Sequence, residues 1–246
     1  MNTAPAFAST LLGRTVVIFG GTSGIGLAAA IEAKAAGAQV IVIGSNAARA
    51  EQAANAHGLD GWRAADVTRP EAVEAALADI PVVDHLVLLA GTFVTGTIMS
   101  ADVGHLRRAF DERIWASIGA IRALGERLSK AGSITFISGA LADRPNAHGT
   151  AVIAAASAAM EALARGLALE LAPIRVNTLS PGPIDTPIFD KALGEGRDAY
   201  VAALEQALPL RRMGSAGEAG GAVVFLMGNT FMNGAVLNVD GGARLV

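Results

Sequence analysis

Residues Thr15-Val16-Val17-Ile18-Phe19 run straight into Gly20-Gly21-Thr22-Ser23-Gly24-Ile25-Gly26, and these lead into an Ala-rich stretch that ends at Gly37. The first five are β-branched or aromatic residues. A strand of that kind, without polar alternation, is buried on both faces. The glycines that follow permit φ > 0 and close approach of other backbone. Residues 24–36 then read as a helix with Gly37 as its C-cap. A helix that starts on such a turn offers free N–H groups and the positive end of its dipole to an anion. A tight turn alone is the simpler explanation of a glycine cluster. Its position between the first strand and the first helix of an α/β chain points instead to a dinucleotide diphosphate.

The same alternation continues outward from this unit. Apolar runs at 39–43, 62–65, 84–90, 133–138, 174–180 and 235–239 read as buried strands. Helices are expected over 46–56, from Pro70, across about 102–130, over 149–172, near 196–207 and over 216–228. Strands alternating with helices give a doubly wound parallel sheet. The expectation is an α/β chain, 1–246, forming a single Rossmann-fold domain around a seven-stranded parallel sheet. There is no linker and no repeat.

Composition narrows the function classes. The chain has 246 residues, a formal net charge of −3 and no Cys, which excludes disulfide scaffolds, thiolate metal sites and Cys nucleophiles. His57, His85, His105 and His148 are scattered, so no metal site is expected. The absence of basic clusters argues against a nucleic-acid partner. No run approaches the roughly 20 consecutive apolar residues of a bilayer span, so no membrane partner is expected. The start MNTAPAFAST has neither a charged nor an apolar leader segment, which reads as cytoplasmic. The chain contains one Tyr, Tyr200, and three Lys at 34, 130 and 191.

The glycine spacing G-x-x-x-G-x-G resembles the TGxxxGIG loop of the short-chain dehydrogenase/reductase family, with Phe19 in place of its Thr. Asp66-Val67 is similar to the family's adenine-contacting Asp after the third strand. Leu88-Leu89-Ala90-Gly91 resembles its NNAG motif with both Asn replaced. Arg175-Val176-Asn177, then Ser180-Pro181-Gly182-Pro183-Ile184-Asp185-Thr186-Pro187, resembles its RVN…PG…TP segment, and Val239-Asp240-Gly241-Gly242 its C-terminal VDGG. The resemblance implies a nicotinamide dinucleotide held by Gly20, Thr22, Ser23, Gly24, Ile25, Gly26, Asp66, Val67, Ala90, Gly91, Pro181, Gly182, Ile184 and Thr186. An acidic residue at the end of the second strand would bind the ribose 2′-OH of NAD. Gly44-Ser45-Asn46 carries no carboxylate, so NADP(H) is favoured over NAD(H), with Ser45 and Asn46 at the ribose and Arg49 one turn beyond.

The family's chemistry uses Ser, Tyr and Lys. Ser157-Ala158-Ala159-Met160-Glu161-Ala162-Leu163 resembles its KAAxEAL, which puts Ser157 at the Lys position and Ile153 at the Tyr position. After the fifth strand Gly139 falls at the Ser position, with Ser138 beside it; a one-residue slip restores Ser138. The helical Asn of the family's proton relay falls near Ala116 or Ser117. The candidate catalytic residues are therefore Ser138, to polarise a substrate oxygen, and His148, whose ordinary pKa near ~6.5 suits proton transfer. His148 has a simpler reading, as a loop residue exposed to solvent. Tyr200 lies in a substrate-covering flap expected at about 188–210 and packs there or overhangs the nicotinamide. Asp143, Arg144 and Asp185 read as turn or capping residues.

Three functions follow. The first is an NADP(H)-dependent oxidoreductase with a non-standard active site, acting on an unidentified carbonyl, alcohol or related small molecule. The second is a catalytically degenerate NADP(H)-binding protein, a redox sensor or partner subunit. The third, lyase or dehalogenase chemistry, is disfavoured by the intact glycine loop. The resemblance also implies a homodimer or homotetramer, joined through the two long helices and the C-terminal strand.

Overall fold

The computed structural model describes residues 11–188 and 194–246. Strands β1 (Thr15–Phe19), β2 (Gln39–Gly44), β3 (Gly61–Ala64), β4 (Val83–Leu88), β5 (Leu128–Ile137) and β6 (Arg175–Pro181) belong to the main sheet. Two short strands, β7 (Ile184–Asp185) and β8 (Gly214–Ser215), pair with each other, and β9 (Val236–Val239) returns to the main sheet. That sheet is seven-stranded and parallel, in the order β3-β2-β1-β4-β5-β6-β9. The order reverses between β1 and β4. In such a sheet the crevice outside the carboxyl ends of these strands is where ligands bind.

Burial explains the sequence pattern. Val17 and Phe19 face one core with Leu86, Ile134, Phe136 and Val176, while Val16 and Ile18 face the other with Val40, Val42, Val87 and Leu179. Successive side chains of a strand alternate faces, and here both faces are covered, so β1 and β2 are apolar on both. Helices α1 (Gly24–Ala35), α2 (Ala47–His57), α3 (Pro70–Leu77), α4 (Val103–Phe110), α5 (Ala116–Leu124), α6 (Ala151–Glu170) and α8 (Ala216–Gly228) bury side chains in the cover, whereas α7 (Arg197–Ala207) buries none. Small residues set how closely they pack. A Cβ on Gly220 of α8 would lie 2.8 Å from the Ala28 backbone of α1. By length and hydropathy α6 would also suit a membrane span. Here its Ile153, Ala156, Met160 and Ala164 are buried.

Two expectations are corrected. The helix expected over 102–130 is broken: α4 passes into a π-helical turn, Asp111–Trp115, then α5, then a 3₁₀ turn at Gly125–Arg127. Gly125, at φ 51°, ends α5 because the left-handed region is cheap only for glycine. The fifth strand begins at Leu128 rather than 133.

Arg175 is 8% exposed and caps the end of α8, donating to the carbonyls of Leu226, Met227 and Asn229.

His85 of β4 is buried with its Nδ1 2.8 Å from Ser133 Oγ. Burial, reinforced by the Arg175 charge, pushes its imidazole down to about 4. The folded chain thus keeps His85 neutral where the unfolded chain, near 6.5, takes up a proton. Its contribution to stability is complete above the unfolded pKa, falls as pH drops towards 4, and changes no further below that. At ~1.4 kcal/mol per pKa unit the loss is about 3 kcal/mol. Urea midpoints of wild type should fall more steeply between neutral and acid pH than those of His85→Gln; parallel slopes would contradict this assignment.

Candidate functional site

The glycine turn is built by contacts that exclude side chains. Gly20 sits at φ 78° with its missing Cβ 2.9 Å from the Ala90 nitrogen. Gly24, at φ 53°, faces Thr186, whose Cγ2 lies 3.2 Å from where a Cβ would be. A Cβ on Gly26 would fall 2.2 Å from the Gly20 carbonyl oxygen, so α1 starts directly against the turn. Ser23 is the N-cap of α1, yet its side chain makes no capping hydrogen bond. The first N–H groups of the helix are therefore not consumed by a cap. These features fit a dinucleotide diphosphate.

At the end of β2, a Cβ on Gly44 would meet Thr22 at 2.7 Å, which ties the strand end to the glycine turn. Asn46 caps α2 by accepting the Arg49 N–H at 2.9 Å. Ser45, Asn46 and Arg49 are exposed, and the Arg49 guanidinium has no hydrogen bond or ion pair among the described residues. Asp66 accepts both the N–H and the hydroxyl of Thr68, at 2.9 and 2.7 Å, and these bonds hold its carboxyl below the usual range.

A cleft of about 440 Å³ opens beside the turn. Its lining brings together Ile25, Gly91, Pro181, Gly182, Ile184 and Thr186 with Ser138, Ile153, Ser157 and Tyr200. The segment 181–187 is pinned from behind, since a Cβ on Gly182 would fall 2.6 Å from the Asp240 Cα. Val67 and Ala90 lie on a separate cavity of only about 10 Å³. Gly20, Thr22, Ser23, Gly24 and Gly26 form the turn at the cleft's edge rather than its lining, and Ser45, Asn46 and Asp66 lie outside it.

The two catalytic candidates fare differently. Ser138 is 9% exposed and lines the cleft, and its Oγ donates to Glu161 Oε1 of α6 at 2.6 Å. His148 is exposed and is not among the residues lining the cleft; its backbone N–H is held by Asn146 Oδ1 at 2.9 Å. The structure does not bring its imidazole to Ser138. Arg144, expected as a turn residue, lines the cleft. Asp185 pairs with Arg197 at 2.6 Å. Tyr200 is 37% exposed, and partial burial pushes its phenol up. The part of the flap at 189–193, with Lys191, lies outside the described residues.

Two further residues escaped the sequence reading. Glu112 and Arg113 are consecutive and both buried, at 6% and 9% exposure. The π turn at Asp111–Trp115 carries both; such wide turns recur at functional sites. Glu112 accepts the Thr92 N–H at 2.6 Å, the Thr92 hydroxyl at 2.8 Å and two Arg108 N–H groups at 2.9 and 2.6 Å. Arg113 lines both cavities and donates to the carbonyls of Thr92 and Ala109, at 2.9 and 3.4 Å. A signal was present: Leu106, Ala109, Arg113, Ser117, Ala120 and Leu124 follow the spacing of a buried helix stripe, with a cation inside it.

Comparison with known proteins agrees with this geometry. The family described as Enoyl-(Acyl carrier protein) reductase matches residues 20–244. "Short-chain dehydrogenase/reductase ATR9" of Stachybotrys chlorohalonatus is 34% identical, over 96% of this chain and 99% of its own. Among solved structures, L-sorbose reductase from Gluconobacter frateurii, complexed with NADPH and L-sorbose, superposes with TM-score 0.88 at 27% identity, covering 97% of this chain and 99% of its own. A small-chain dehydrogenase in complex with NADPH superposes at 0.81 and 32% identity, over 95% and 100%. With the glycine turn, the sheet order and the cleft in agreement, the chain belongs to the short-chain dehydrogenase/reductase family.

Proposed function

We propose that the protein is an NADP(H)-dependent oxidoreductase whose active site lacks the tyrosine–lysine pair of its family and acts on activated carbonyls, quinones or imines. The observation that carries this reading is the cleft itself. Residues suited to hold a dinucleotide share it with Ile153 and Ser157, at the positions where the family resemblance puts the proton donor and its cation. The absence of a carboxylate at the end of β2 and the exposed Arg49 favour a 2′-phosphate over a bare ribose. NADPH in two solved relatives supports the same choice.

When bound, a reduced nicotinamide supplies a hydride. The chain's own part is to bind and orient. The α1 N-terminus and the glycine turn take the diphosphate, and 181–187 takes the nicotinamide end. Ile153 contributes apolar surface and no proton. Ser138 already donates to the Glu161 carboxylate, so its hydroxyl proton is committed. The proton of the reaction then comes from water or from the substrate, which selects acceptors that need no strong acid at the moment of reduction.

Comparative titration tests the cofactor choice. NADPH should quench or shift the Trp fluorescence at lower concentration than NADH, and Arg49→Ala should reduce that preference. Tighter binding of NADH would contradict it.

A further inference from the structure

Arg113 is 9% exposed, and burial pulls its guanidinium below the usual value. Buried charges are normally paired, because removing one from water costs several kcal/mol. Arg113 has no carboxylate within 4.0 Å among the described residues; its neighbour Glu112 is committed to Thr92 and Arg108. Its two carbonyl partners use two of five N–H groups.

The guanidinium borders both the small cavity and the main cleft. A Cβ on Gly91 would come within 3.2 Å of the Arg113 Cζ, so glycine in the loop after β4 leaves the cation room against the backbone. Arg113 lines one cavity with Ala90 and the main cleft with Gly91, Ser157 and Pro181. Ser157 beside it is neutral and Ile153 is apolar, so neither supplies a charge there. A planar guanidinium with free N–H groups needs oxygen acceptors, and adjacent hydroxyls on a sugar offer several lone pairs at the right spacing.

Building on the NADP(H) reading above, we propose that Arg113 is a positioning residue for the nicotinamide-ribose end of the dinucleotide, its guanidinium holding ribose oxygens beside Gly91. The family's lysine position is vacant of charge here, and a cation reaches the same cleft from a different element.

Binding of two probes to the full-length protein tests this. NADPH carries the nicotinamide ribose; adenosine 2′,5′-bisphosphate carries only the adenine side. Arg113→Met should weaken NADPH roughly 10- to 100-fold, the worth of a charge-assisted hydrogen bond, and leave the bisphosphate unchanged. Arg113→Lys should recover part of the loss, with thermal melts confirming that both variants fold. Unchanged NADPH affinity in Arg113→Met overturns the proposal, as does equal weakening of both probes, which would mark a structural role. Failure of wild type to bind either probe overturns the NADP(H) reading itself, and this proposal with it.

Discussion

Gly26→Ala is expected to abolish useful NADPH binding, by about 100-fold or more, equivalent to roughly 3 kcal/mol. The new methyl would sit 2.2 Å from the Gly20 carbonyl oxygen and 3.1 Å from the Gly21 Cα. Both neighbours are backbone, so no side chain can rotate away. Either α1 withdraws from the turn or the turn opens, and in both cases the N–H groups at the helix start lose their common aim. Overpacking of this kind also costs about 1–3 kcal/mol of stability. Gly166→Ala in α6 is the control: nothing lies within 4 Å of its added methyl. It should bind NADPH as wild type does and be up to ~1 kcal/mol more stable. Fluorescence titration and thermal melts on the two variants separate the effects, and wild-type affinity in Gly26→Ala would contradict the cradle.

The second large effect concerns which substrates react. A positioned acid contributes about 10²- to 10⁴-fold to a proton-coupled step. Ile153 has no proton to give, and Ser157 has no charge to tune a neighbour. Reduction of a simple aliphatic ketone places a strongly basic alkoxide in the cleft and needs that acid. A protonated imine is neutral after it takes a hydride, a quinone yields a delocalised anion, and an activated carbonyl a weakly basic one. These acceptors should therefore outpace an unactivated ketone by about the same 10² to 10⁴. Tyr200 lines the cleft with its phenol pushed up by burial, so it holds its proton more tightly and is a weaker acid than in water.

Much of the fold was legible because both faces of the sheet are covered. Strands β1 and β2 show this most clearly, as apolar runs Val16-Val17-Ile18 and Val40-Ile41-Val42, whereas β4, β5 and β6 also bury His85, Ser133, Thr135, Asn177 and Thr178. Where pattern and structure part, the reason is local. The start of β5 contains Lys130 and Ala131, which are exposed, and Gly132, whose missing Cβ would press on the Asp84 carbonyl across a register shift. No periodicity marks such a stretch as strand. The π turn at Asp111–Trp115 has the composition of ordinary helix, so the break was invisible, and Arg113 went unread although its place in the apolar stripe was a signal. Glycine roles in the turn could be read because each follows from a missing Cβ. The place of His148 could not, because it depends on how Asn146 and Thr150 fold the preceding loop through mutual hydrogen bonds.

The most direct measurement is NADPH oxidation followed at single turnover, with binding confirmed in the same samples, across an activated carbonyl, a quinone, a cyclic imine and a simple ketone. An NADP(H) oxidoreductase without a protein acid should oxidise bound NADPH with at least one of the first three and be far slower with the ketone. Tight NADPH binding with no oxidation by any of them would contradict it, and would leave the cleft as a binding site for the dinucleotide alone.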